Sequence, residues 1–594
     1  MASLRLGSVL RRPAAWFLEV AKSRPTCFFR AFSSSSSCSQ KLHSSYWNTT
    51  CSKPLSPDTL GVHIDTAAEK WGDRIGWSFV QEAKHCTFSD FKDQVDKLAR
   101  GLLSLGFTKG DTLVIWSPNT FNWILMAAAM AKVGIISASV HFALTAGEFE
   151  KCLATVGFKG IFIAEPFKVF DYYKMLCSLI PELRHSKPGQ LNSAKYPYLK
   201  AIIADGDQNA PGCIPLRELM QDSAADLQAA QQQVGMDDPL TIFFTSGTTG
   251  SPKAAVLSHH NFVNNIVAYD HRADLTTDMV NCVPLPFFHV YGCSVALGRP
   301  LVVGLKAVLP APSYDVGAIL KAIQEHRCTD ISGSPTMFVD IIKSPLLQHY
   351  DVSSLRRAEA GGNVVTPSVR NLIREKLNVP VRVGYGTTEL TTAATVVCED
   401  DPESKQLHTV GRALPLLEMK IADPVTGREQ PVDTPGEVWS RGHNVFLGYY
   451  NDEQRTRECI TDAGWYKTGD VGVMDEDGYI TIVSRLKDIV IRGGENIFPV
   501  EVEEVLNTHP AVQESLVIGV PDDRMGEEVC AWVVLKNGLS VTDEELRDHC
   551  EGKLTRFKVP KYFIYDPNVP RTPIGKAQKA KMRPLAVELL GLKK

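Results

Sequence analysis

Thr245-Ser246-Gly247-Thr248-Thr249-Gly250-Ser251-Pro252-Lys253 follows directly on the apolar run Leu240–Phe244. A short apolar run that ends in glycines and small hydroxyl residues predicts a buried strand opening into a loop. Such a loop lets backbone N–H groups come close to phosphate oxygens, while its hydroxyls and Lys253 add further donors. The spacing G-x-x-x-x-G-K-[ST] is absent, so this is not a Walker A loop. A plain Gly/Thr turn is the simpler alternative, and nine consecutive residues of this composition argue against it.

Outward from the loop, short apolar runs alternate with helical spacing between about Pro57 and Ser484. Strands are predicted at Thr112–Trp116, Gly134–Val140, Gly160–Ala164, Ala201–Ala204, Leu301–Leu309 and Val381–Val383. Helices are predicted at Ala146–Val156, Val316–His326 and Pro367–Leu377. This alternation points to an α/β fold with parallel sheets flanked by helices. The pattern changes near residue 470, where Val471–Met474 and Tyr479–Val483 flank Asp475-Glu476-Asp477-Gly478. The Asp-Gly pair there favours a hairpin. The basic string Ser484-Arg485-Leu486-Lys487-Asp488 then opens a stretch the size of a small α+β domain, with helical Val500–Asn507 and Asp543–Lys553. The expected organisation is a leader over residues 1–40, a large N-terminal domain over 41–486 and a small mobile C-terminal domain over 487–594, jointed at Lys487.

Further motifs lie downstream of the loop. Tyr385-Gly386-Thr387-Thr388-Glu389 offers an aromatic face for stacking on a base and a carboxylate suited to a hard cation. Gly436-Glu437-Val438, Arg441-Gly442 and Gly448-Tyr449-Tyr450 come next. Trp465-Tyr466-Lys467-Thr468-Gly469-Asp470 carries an acceptor-only group that can take two O–H donors. Pro570-Arg571-Thr572-Pro573-Ile574-Gly575-Lys576 closes the series. Alone, Glu389 and Asp470 would read as solvated loop acids, Tyr385 as a packing residue and Lys576 as a surface lysine. Their order and flanking sequence change that reading: the set resembles the signatures of the adenylate-forming superfamily of acyl-CoA synthetases, beetle luciferases and peptide-synthetase adenylation domains.

The resemblance implies roles. Thr245 to Lys253 would hold the β- and γ-phosphates of ATP, with Thr248 and Glu389 at Mg²⁺. Gly361 and Gly362 would form the adenine wall, where Ala360-Gly361-Gly362-Asn363-Val364 departs from the commoner Gly-Ala-Pro version. Tyr385, with Gly386, Thr387 and Thr388, would pack on adenine, and Asp470 and Arg485 would take the ribose. Lys576 would bridge the substrate carboxylate and the α-phosphate. His289, in Pro286-Phe287-Phe288-His289, matches a gate beside the carboxylate, although a histidine after two phenylalanines is often structural. After a swing about Lys487, Gly493 and Gly494 would border the channel for coenzyme A, where paired glycines allow close backbone approach. The plain alternative is a turn before the helix at Pro499. Among acyl-CoA synthetases the chain is similar to mitochondrial members assigned to medium-chain fatty acids, above all in Ile491–Pro499 and Asp522–Glu528. Transfer to a separate carrier protein, light-producing oxidation and an inactive nucleotide-binding relative are the other readings that these motifs allow.

Composition sets limits. The 63 Lys and Arg against 67 Asp and Glu give no basic surface for nucleic acid. The apolar stretch from Trp123 meets Lys132, which is too short for a bilayer and suits a buried helix. The 14 cysteines are scattered without a C-x-x-C pair, which predicts reduced thiols. Cys282, His289 and Cys293 match no usual zinc spacing. Arg5, Arg11, Arg12, Lys22, Arg24 and Arg30 face only Glu19 before Asp58, and a serine run spans Ser33 to Ser37. Arg-rich, Ser-rich and acid-poor is the composition of a transit peptide, which predicts the mitochondrial matrix, with cleavage near Phe32.

Overall fold

Strands of the large domain bury both faces. In Thr112–Trp116, Leu113 and Ile115 belong to one core cluster while Val114 and Trp116 belong to another. Successive strand residues point to opposite faces, so Leu113 to Trp116 are all apolar, as in a strand covered on both sides. The computed structural model describes residues 41–51, 53–206, 210–221, 223–245, 252–493, 495–571 and 576–592. The transit-peptide reading, Ser246 to Ser251, Gly494 and residues 572–575 lie outside them.

The described residues form four sheets. An eight-stranded sheet runs Gly448–Tyr449, Lys253–Ser258, Pro239–Thr245, Ile136–Ser139, Thr112–Trp116, Gly160–Ile163, Ala201–Ala204 and Ile214–Pro215, and is parallel from Pro239–Thr245 onward. A nine-stranded sheet has the parallel centre Val381–Tyr385, Arg357–Ala360, Asp330–Gly333, Val280–Cys282 and Lys306–Leu309. An antiparallel five-stranded sheet contains the predicted hairpin, Tyr466–Met474 with Ile480–Arg485, turned at Gly478 with φ +83°. The last sheet comprises Glu495–Ile497, Val490–Arg492, Gly526–Leu535, Val512–Asp522 and Tyr562–Tyr565. Along Gly526–Leu535, Val529, Ala531 and Val533 pack on one side and Cys530 and Trp532 on the other, so helices cover both faces. The short turn Leu486–Asp488 connects the hairpin sheet to this C-terminal one.

Phe121–Val133 is the buried helix expected from Trp123 onward. Thr120 caps it, accepting from the Trp123 N–H, and Gly134 at φ +73° ends it. Lys132 is only 2% exposed and pairs with Asp65 at 2.6 Å and with Asp96. No described helix is long and apolar enough to cross a membrane.

One expected strand is corrected. Leu301–Leu309 begins as helix, Arg299–Val303, and only Lys306–Leu309 is strand. A helical path that starts at Val290 runs through a π turn at Ser294–Gly298 into this segment. Gly304, at φ +85°, then stops it. The β-branched residues at 302 and 303 therefore follow a helix already under way, and tertiary context overrides their propensity.

Candidate active site

The strand Pro239–Thr245 and its antiparallel partner Lys253–Ser258 pair Thr245 with Lys253, so the glycine-rich loop springs from the end of a rigid ladder. Lys253 Nζ lies 5.0 Å from the centre of the Tyr449 ring. The Tyr449 hydroxyl donates to Glu389 Oε1 at 2.8 Å. Glu389 itself sits in the turn Thr388–Leu390, just after the strand that ends at Tyr385. The base of the loop, an aromatic ring and the expected metal carboxylate thus form one chain of contacts. Thr387 Oγ1 is buried with no hydrogen-bond partner among the described residues. An orphaned hydroxyl beside a carboxylate that is held from one oxygen suits a site for a hydrated cation and phosphate.

Asp470 is buried where two strands meet, paired in register with Arg485. Arg485 Nε lies 3.0 Å from Asp470 Oδ1, and the Tyr385 hydroxyl donates to Oδ2 at 2.8 Å. Burial and the Asp470 charge push the Tyr385 phenol well up, so it stays a neutral donor. Each carboxylate oxygen keeps a lone pair for another donor. The structure therefore brings together three residues expected at the nucleoside.

His289 caps the turn Val290–Cys293, its Nδ1 accepting from the Tyr291 N–H at 3.2 Å. Burial, with Lys576 nearby, pulls the imidazole down to about 4, so it is neutral near pH 7. Asn119 clamps the segment that leads to it, donating to Leu285 O and accepting from the Phe287 N–H, both at 2.9 Å.

His289, Gly361, Gly362, Asn363 and Lys576 line one cavity of about 270 Å³, together with Phe142, Leu285, Phe288, Tyr291 and Met337. Lys576 comes from the C-terminal domain and the others from the large one. Burial, then Arg485 and Lys487, pull its ammonium down to about 8, with Asp470 opposing. Lys576 is thus near both the cavity and the Tyr385–Asp470–Arg485 cluster. Lys487 is itself lowered by burial and by Arg485.

Gly386, expected at the adenine, and Gly493, expected at the coenzyme A channel only after the swing, are not among the residues lining this cavity. Gly386 is a glycine for packing, because a Cβ there would lie 2.0 Å from the Thr392 carbonyl oxygen. The Gly493 N–H donates to Met525 O at 2.7 Å, in the turn between Val490–Arg492 and Glu495–Ile497. No group of three or more His, Cys, Asp or Glu that could hold a metal is found among the described residues. Sequence reading missed Asn119, Tyr291 and the acid behind it, Glu359. Asn119 lies 166 residues from Leu285, and no local pattern signals the contact.

Residues 64–450 match the family model for AMP-binding enzyme, and residues 501–576 that for AMP-binding enzyme C-terminal domain. The chain is 40% identical over 563 residues to the mitochondrial medium-chain acyl-CoA ligase ACSF2 of Danio rerio, across 93% of this chain and 92% of that protein. It is 36% identical to the putative acyl-CoA synthetase YngI of Bacillus subtilis, across 90% of this chain and 98% of that protein. The crystal structure of ATP-bound MatB from Rhodopseudomonas palustris aligns with a TM-score of 0.78 at 26% identity, over 90% of this chain and 100% of that one.

Proposed function

We propose that this chain, which belongs to the AMP-binding enzyme family and is an AMP-forming acid–CoA ligase, takes medium-chain fatty acids as its acids and works in the mitochondrial matrix. The observation that carries the reading is the shared cavity: an ammonium from the C-terminal domain and a largely apolar wall from the large domain meet in one space. A carboxylate is a poor acyl donor because its leaving group would be an oxide. Its oxygen attacks the α-phosphorus of ATP, the bond to pyrophosphate breaks, and an acyl-adenylate results. The thiol sulfur of coenzyme A then attacks the acyl carbon, its proton is lost, and AMP leaves.

Repulsion between two anions is the main obstacle to the first step, so fixed positive groups at the forming bond supply most of the help. Lys576 serves there, between carboxylate and α-phosphate. Tyr385, Asp470 and Arg485 hold the nucleoside, and Gly361 and Gly362 flank the base. Thr245, Lys253 and the intervening loop hold the outer phosphates. Glu389, steadied by Tyr449, is the residue that would hold Mg²⁺, which offsets the triphosphate charge. His289, neutral, stands beside the acid as its gate. For the second step the C-terminal domain turns about Lys487, withdrawing Lys576 and bringing in Gly493 and Gly494.

The name of the Danio rerio relative supports the medium-chain and mitochondrial readings, and the composition of residues 1–40 supports the mitochondrial one. The test is a panel of C4 to C18 acids, each assayed for pyrophosphate exchange into ATP and for acyl-CoA. An optimum in the medium range in both assays is expected. Exchange without any thioester would overturn the ligase in favour of a carrier-directed enzyme, and an optimum at C16 or above would overturn the chain-length reading. Residues 1–40 fused to a fluorescent protein should carry it into the matrix; diffuse cytosolic signal would overturn the address.

A further inference from the structure

Gly436-Glu437-Val438 takes no part in the chemistry above. Its strand, Gly436–Gly442, nevertheless pairs with Tyr466–Met474, the strand that carries Asp470. Glu437 is only 5% exposed. Its Oε1 accepts from the Gly469 N–H at 2.9 Å and its Oε2 from the Trp439 indole N–H at 2.7 Å. One buried carboxylate thus joins its own strand to the residue directly before Asp470.

The pairing of these two strands is irregular at that point. Glu437 faces Val471 and Trp439 faces Lys467, so Val438 alone lies opposite Thr468, Gly469 and Asp470. Such a bulge interrupts the ladder, bends its strand and re-aims a side chain. Gly469 makes the bend at φ +71°, a conformation that costs glycine little. Buried N–H groups that leave a ladder need other acceptors. The Gly469 N–H has Glu437, and the Asp470 N–H donates to Thr468 Oγ1 at 3.0 Å. The Thr468 hydroxyl in turn donates to Val438 O at 2.8 Å. The bulge is therefore tied back at each residue to Glu437 or Val438. At its end the Asp470 carboxylate meets Tyr385 and Arg485.

We propose that Glu437 is a positioning residue: with Thr468 it holds the bulge that aims Asp470 at the ribose hydroxyls of ATP. The inference rests on the reading above that Asp470 takes the nucleoside. Glu437 touches no substrate and acts through the Gly469 peptide. Tyr385 and Arg485 hold the Asp470 carboxylate itself, while Glu437 holds the main chain that delivers it. Glutamine cannot replace it, because an amide has one acceptor oxygen for two N–H donors. Whichever way that amide turns, its NH₂ group faces an N–H, and one buried donor is left unmatched.

The experiment measures kcat/KM in adenylation for ATP relative to 2′,3′-dideoxy-ATP, in wild type, D470N, E437Q, T468V, W439F and E437Q/W439F. A glutamate that merely stabilised the sheet would affect both nucleotides alike and leave this ratio unmoved. D470N is expected to lower the ratio about tenfold or more, since a site built for hydroxyls then loses its acceptor. E437Q and T468V are expected to lower it severalfold, and W439F to leave it unchanged. Phenylalanine at 439 removes the second donor and frees the amide oxygen for Gly469, so E437Q/W439F is expected to recover most of what E437Q loses. An unchanged ratio in folded E437Q overturns the proposal, as does a double variant that recovers nothing. Should E437Q not fold, an unchanged ratio in T468V overturns it. An unchanged ratio in D470N overturns instead the placing of Asp470 at the ribose, and the two failures are thereby distinct.

Discussion

Lys576 can bridge two anions only while it is charged, and burial with neighbouring cations brings its ammonium to about 8. The active form is the protonated one, so adenylation by the free enzyme is present below that value and lost above it. The prediction is that kcat/KM for pyrophosphate exchange falls as pH rises through about 8, and that Lys576→Arg moves this limb upward, since guanidinium stays charged. Lys576→Ala is expected to slow adenylation about 100-fold or more, while thioester formation from supplied acyl-adenylate is far less affected. Exchange at the wild-type rate in that variant would remove the lysine from the mechanism. Lys576, Tyr385, Asp470 and Glu389 were legible because each stands in a run of distinctive neighbours. Glu359 was not: in Arg357-Ala358-Glu359-Ala360 it reads as an ordinary strand residue, and its partners lie 60 and 68 residues away.

Among the elements, the buried helix Phe121–Val133 owes its fixity to Lys132, which reaches Asp65 in Leu60–Trp71 and Asp96 in Phe88–Ser104. Lys132→Ala would remove the buried partner of Asp65 and Asp96 and leave both to Lys92, a change expected to cost about 1–3 kcal/mol, measured by denaturant unfolding. Burial works against the Asp96 charge, but its bonds to Lys132 and Lys92 hold its carboxyl below the usual value. A depressed carboxylate stabilises the fold above its unfolded pKa, and that contribution disappears as pH falls through the folded one. Acid unfolding of wild type should therefore begin near pH 4 and steepen below it; a flat stability profile down to pH 2 would contradict this. At the Tyr385–Glu389 turn, Gly386→Ala is expected to destabilise by roughly 1–3 kcal/mol through overpacking against Thr392. Most strands and helices were legible from period alone, including the hairpin at Gly478. Leu301–Leu309 was misread because an apolar run of that length suits either state, and the choice fell to the π turn upstream.

For the whole molecule, the alternation of strands and helices already indicated an α/β body followed by a smaller α+β one, and the sheets at residues 75–449 and 490–565 bear that out. That the face bearing Lys576 meets the cavity was legible only through the resemblance, because contacts between distant segments leave no periodic trace. The proposed turn about Lys487 predicts that Lys487→Pro, which stiffens the link Leu486–Asp488, keeps pyrophosphate exchange within a few fold yet sharply lowers acyl-CoA formation. Equal loss of both steps would argue against a swing there. The presence of Lys576 in the cavity wall carries one more consequence. A mixed anhydride of acid and phosphate is prone to hydrolysis, and in the proposed mechanism the domain that carries Lys576 would also cover it. Cutting the chain before residue 490 should thus leave a protein whose rare adenylates leak away as free acid and AMP, a futile loss of ATP that the intact lid prevents.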